Sequence, residues 1–95
     1  MDVPHGHDRV ADIHIRLIDE PDPLVRSALH LELAAIAVAG GQFELAGVHF
    51  REALHHEPGS AAARRGLAEV GEREGRDAEV RSGLRGFVSR LLRRR

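Results

Sequence analysis

AGVHFREALHHEP, residues 46 to 58, sets a small residue (Ala46), an aromatic (Phe50), a second small residue (Ala53) and then Pro58 in an order that amphipathic periodicity alone does not require. A helix with one buried face needs apolar residues three and four apart, but it places no demand on their size. Something specific must therefore pack against Ala46 and Ala53. Pro58 and Gly59 then stop the helix. The stretch predicts a helix whose packing partner the rest of the sequence must identify.

The rest of the chain suits that reading. Ninety-five residues make one small domain with a modest core. Aromatics are limited to Phe43, Phe50 and Phe87, while alanine, leucine and valine are plentiful, which favours close helices over stacked sheets. There is no cysteine, so neither disulfides nor thiolate metal sites are expected. The opening residues MDVPHGHD lack a basic start and an apolar run, and no later segment approaches a membrane span, so a cytoplasmic protein is the expectation. All basic residues are arginine, as a GC-rich genome would produce. Net charge is −1, yet acids outnumber arginines 10 to 4 through residue 60 and arginines outnumber acids 10 to 5 from residue 61. Such polarity can favour association between copies.

Turn signals at Pro21 to Pro23, Gly40-Gly41, Pro58-Gly59-Ser60 and Gly75 divide the chain into five expected helices at about 8–19, 24–39, 42–56, 60–74 and 77–93. Ser60 and Asp77 are expected N-caps. The run from Asp12 to Leu17 alternates polar and apolar in the manner of a half-buried strand. Helix is preferred there, because a lone strand in a helical array leaves its backbone groups unpaired.

Paired helices of this length with short turns invite a search for repeats. Residues 27–60, with Leu33, Ala34, Gly41, Ala46, Phe50, Ala53 and Pro58, resemble the tetratricopeptide repeat (TPR) family. The family's tryptophan and tyrosine positions hold His30 and Ala37, so the match rests on the second helix. Residues 61–94 read as a looser, capping repeat, with Leu67, Ala68 and Gly75 in register and Val80, Leu84 and Phe87 in the places of Ala46, Phe50 and Ala53. Ala11, Ile15, Ile18 and Pro23 share the spacing and make residues 8–20 a half repeat. The expected fold is therefore a single all-α domain spanning 1–95, an α-solenoid of about two and a half TPR-like repeats.

The resemblance implies an inner groove that receives peptides or partner helices. Its positions here are Ala28, Leu31, Ala35 and Val38 in the first repeat, then Ala62, Arg65, Glu69 and Glu72 in the second. The family's clamp for chaperone carboxylates uses lysine and asparagine where this chain has Leu31 and Ala35, which argues against that activity. The helix LVRSALHLELAAIAVA, residues 24–39, is apolar on nearly every face. Packing on residues 42–56 is expected to use Leu29, Leu33 and Ile36, leaving Leu31, Ala35 and Val38 for the N-terminal helix, a partner or a second copy.

Other chemistry finds less support. Seven histidines include His5, His7, His55 and His56, but no convergent ligand set is legible, so solvent-exposed histidines and no metal are expected, with His30 and His49 at helix contacts. Serines 27, 60, 82 and 89 stand in no nucleophile motif and no glycine-rich loop follows a strand, which argues against an enzyme, a cofactor or a small-molecule substrate. The last stretch, GLRGFVSRLLRRR, puts Leu84, Phe87, Val88 and Leu91 on one face. Its arginines suit a helix C-terminus, and attachment to an anionic membrane or nucleic acid is the less favoured alternative. The expected function is a non-catalytic scaffold or adaptor that binds another protein or peptide and forms a homo-oligomer, with self-assembly as the main alternative.

Overall fold

A computed structural model describes residues 6–93, apart from the side chains at positions 6, 7 and 77. His5, Arg94 and Arg95, and the side chains of His7 and Asp77, lie outside the described residues. Four helices follow one another: α1 (Gly6–Asp19), α2 (Pro23–Ala39), α3 (Phe43–His56) and α4 (Ala61–Arg93). There is no strand among the described residues, so the alternating run from Asp12 to Leu17 lies within a helix.

The first three connections sit where turn chemistry places them. Asp22 caps α2 by accepting from the Leu24 amide at 2.9 Å, and Pro23 occupies the first turn, where its missing N–H costs nothing. Gly41 adopts a φ of 74° at the other end of α2. Around it the Gln42 amide donates to the Ala37 carbonyl at 2.8 Å and the Gly41 amide to Val38 at 3.0 Å, the paired bonds of a Schellman ending. The Ser60 hydroxyl caps α4 by accepting from the Ala63 amide at 3.1 Å, as expected.

The expected fourth turn does not form. Helix α4 runs unbroken through Gly75 and Asp77, so there are four helices among the described residues rather than five, and residue 77 is mid-helix rather than an N-cap. Glycine weakens a helix by only about 1 kcal/mol relative to alanine and does not by itself reverse a chain. No proline stands near, and Glu69 with Arg73 and Glu72 with Arg76 have the i,i+4 order that favours helix. Consequently the described part of the expected capping repeat, residues 61–93, is one helix and not a helix-turn-helix.

Two clusters form the core. The larger joins Ala34 and Ala37 of α2, Ala46, Phe50 and Ala53 of α3, and Ala63 and Val70 of α4. Ala46 and Ala53 are both 0 % exposed, which accounts for the sizes in the opening motif: α2 and α4 approach too closely for larger residues. Phe50 fills the remaining space against Gly66, whose hypothetical Cβ would lie 2.3 Å from the ring. The smaller cluster packs Ile13 and Leu17 of α1 on Leu29 and Leu33 of α2, with Val10, Val25 and Ile36 at its edge. Leu29, Leu33 and Ile36 thus serve α1 rather than the α3 contact expected of them. Ile15 and Ile18 are 64 % and 76 % exposed, so the buried stripe of α1 is Val10, Ile13 and Leu17, out of register with the half-repeat reading.

Arg26 fastens the α1 end to α2. Its guanidinium donates to the carbonyls of Leu17 and Glu20 at 2.9 and 2.8 Å, supplying hydrogen bonds that the end of α1 leaves open. An exposed Arg9–Glu32 ion pair at 2.6 Å adds a second tie. No helix of the described residues is long and apolar enough to cross a membrane.

Candidate functional sites

Two features rise above the packing, an uncovered stripe on α4 and a histidine cluster between α2 and α3. From Gly71 to Arg93 every residue whose side chain is described is exposed. Val80, Leu84, Phe87 and Leu91 are all at least half exposed, and their separations of four, three and four residues form the seam of a two-helix coiled coil. At the base of this segment an open cleft of about 770 Å³ lies between the first turns of α3, with Phe43, Leu45 and Val48, and α4, with Glu74 and Arg81. The Arg73 guanidinium stacks over the Phe43 ring at 5.2 Å, so that wall is already partly organised.

The sequence-derived groove fares differently at each position. Leu31 and Val38 are half-buried against the larger core cluster, whereas Ala28 and Ala35 are exposed. In α4, Ala62, Arg65, Glu69 and Glu72 are exposed as well. The apolar capacity assigned to Leu31 and Val38 is largely spent on α3 and α4, and α1 lies over the other side of α2.

The second feature is the one that sequence reasoning missed. His14 of α1, His30 of α2 and His49, His55 and His56 of α3 form a continuous run of ring contacts. Centroid separations are 5.5 Å between His30 and His49 and 5.7 Å between His30 and His56, both stacked. The Nδ1 atoms of His30 and His49 meet at 3.2 Å, so one carries the proton that the other accepts. His14 and His55 are exposed, as expected, and His49 is buried and His30 half-buried, in keeping with their placing at a helix contact; His56, half-buried, departs from the expected exposure. Burial, and then the neighbouring His49, hold His30 below its ordinary pKa, with Glu52 opposing; burial and then His14 do the same for His49.

One carboxylate belongs to this group. Glu52 stands one turn before His56 on α3, and the donor atoms of His30, Glu52 and His56 all lie within 4.8 Å of one another. Arg26 Nε donates to His56 Nε2 at 3.5 Å. The signal available in sequence was His49, Glu52 and His56 at helical spacing on α3. Only the tertiary contact could add His30.

No family model, curated protein or solved structure matches this chain.

Proposed function

We propose that the protein is a non-catalytic protein–protein interaction module that works as a homodimer, its copies joined antiparallel along α4. The observation that carries this reading is the exposed seam of Val80, Leu84, Phe87 and Leu91 on a helix segment whose described side chains are all exposed. Charge selects both the occupant and its direction. Residues 72–79 contain four acids, Glu72, Glu74, Asp77 and Glu79, against two arginines, and residues 81–95 contain six arginines and no acid. An antiparallel pair centred on Leu84 sets each acidic segment beside the partner's arginines, whereas a parallel pair sets the arginine clusters against each other. Such a pair is two-fold symmetric and closes on itself.

The TPR-like character of the module belongs to the same proposal. What supports it is the α2–α3 pair, with Ala46 and Ala53 at the close approach, Phe50 as filler and Pro58 after the stop. The dimer would then present two α2 faces, each with Ala28 and Ala35 exposed beside half-buried Leu31 and Val38, to a peptide or partner helix, with Arg65, Glu69 and Glu72 available on α4.

Sedimentation of the wild type and of Leu84→Glu tests the association. The wild type should be a dimer at micromolar concentration and the variant a monomer with unchanged helical circular dichroism. Because the chain has no native cysteine, single Cys variants report the direction. Leu84→Cys should cross-link readily and Leu91→Cys should not. Efficient cross-linking at both positions would mean a parallel pair, and a monomeric wild type would end the proposal.

A further inference from the structure

We propose that His30, Glu52 and His56 form a binding site for a borderline divalent metal ion of the zinc class, held between α2 and α3. This inference is independent of the dimer. Imidazole nitrogens with one carboxylate are a donor set that suits Zn²⁺ and Co²⁺ and binds the hard ions Mg²⁺ and Ca²⁺ poorly. Two ligands one turn apart on a helix, with a third from the facing helix, define one triangular face of a tetrahedron and leave the fourth position to water.

The geometry is close to what an ion requires. Metal–ligand distances of about 2.0–2.2 Å imply donor–donor separations of roughly 3.3 Å in a tetrahedron. The donors here lie within 4.8 Å of one another. Side-chain rotation is what closes that gap: Glu52 is exposed, and His56, half-buried, is the last residue of α3. His30 is the fixed member. Its Nδ1 is engaged by His49 at 3.2 Å, and donation of the His30 Nδ1 proton to His49 leaves the Nε2 lone pair of His30 for the ion. A ligating imidazole whose other nitrogen is hydrogen-bonded has its ring orientation set in advance. His49 is therefore a positioning residue.

Arg26 works against the ion, since its guanidinium sits 3.5 Å from Nε2 of His56. Two firm carbonyl contacts hold Arg26 at the end of α1, so its long contact to His56 is the one that yields. His56 then either turns that nitrogen to the ion or binds through Nδ1. The Glu52 carboxylate supplies the negative charge that makes the exchange favourable.

The test uses the untagged full chain, titrated with Zn²⁺ by calorimetry and with Co²⁺ by visible absorption. One ion per chain, tetrahedral d–d bands with Co²⁺, and a rise in Tm with Zn²⁺ that a chelator reverses are expected. Glu52→Gln and His56→Asn should each weaken binding about tenfold or more while the metal-free proteins keep their helical signal. His55→Asn, one residue away, should bind as the wild type does. The double variant His5→Ala/His7→Ala should also bind normally. The proposal is overturned if no saturable binding occurs in the micromolar range. It is equally overturned if binding survives Glu52→Gln and His56→Asn but disappears with His5 and His7, which would place the ion on the N-terminal histidines.

Discussion

Phe50 and Gly66 are a single packing choice made by two helices. The ring lies where a Cβ at position 66 would sit, so Gly66→Ala forces Phe50 out of its place and should destabilise by about 1–3 kcal/mol in chemical denaturation. Ala46→Leu should cost a similar amount, because Ala46 has no exposed surface and is surrounded by the larger cluster. Of the two, only the Ala46 constraint was legible in sequence, through its place in the small-aromatic-small order. Gly66 carried no local signal, since a glycine inside a helical pattern reads as a tolerated defect until the neighbour above it is known. The histidines give a second residue-scale prediction for the metal-free chain. His30 and His49 are held below their ordinary value of 6.5, with His14, Arg26, Glu52 and His56 as the charged neighbours. The unfolded chain therefore takes up protons first. Stability is full above about pH 6.5 and falls as pH drops through the depressed folded values. Urea midpoints in chelator should decline between neutral pH and pH 5, and His49→Gln should flatten that decline.

At the scale of the element, α4 decides the architecture. A Cβ at Gly75 would meet nothing within 4 Å, and its φ is not in the left-handed region. Gly75→Ala should therefore raise stability or helicity by up to about 1 kcal/mol. Were position 75 the left-handed end of a helix, the same change would destabilise, so the sign of the effect separates four helices from five. Ser60→Ala should cost about 1 kcal/mol, because it removes the acceptor for the Ala63 amide. Helix starts and stops that rest on a side-chain cap, a proline or a glycine pair were readable in advance, because each acts within a few residues. Gly75 was misread for a related reason: a lone glycine permits a reversal without demanding one, and the flanking glutamates and arginines favour continuation.

For the whole molecule, the charge division between the first 60 residues and the remainder reflects where α4 begins. The dimer proposed along α4 should tighten as salt is lowered, because the net acidic stretch 72–79 faces the partner's arginines. Sedimentation over a salt series measures this. Apolar burial along the seam should keep the dimer detectable at high salt, and Phe87→Glu should abolish it at any salt. Removal of Arg93 to Arg95 should loosen the pair without eliminating it.

The all-helical class, the α2–α3 pair with its size pattern, the caps at Ser60 and the turn at Gly40-Gly41 follow from sequence alone, since spacing, side-chain volume and local hydrogen bonding act over a turn or two of chain. Which face of α2 meets which neighbour did not follow. A helix apolar all round offers several equivalent stripes, and only the competition between α1, α3 and α4 for them gave Leu29 and Leu33 to α1 and Leu31 and Val38 to the larger cluster. The meeting of His30 with Glu52 and His56 was likewise decided in three dimensions. A ligand set divided between helices has no sequence spacing of its own, because its geometry comes into being when the helices pack.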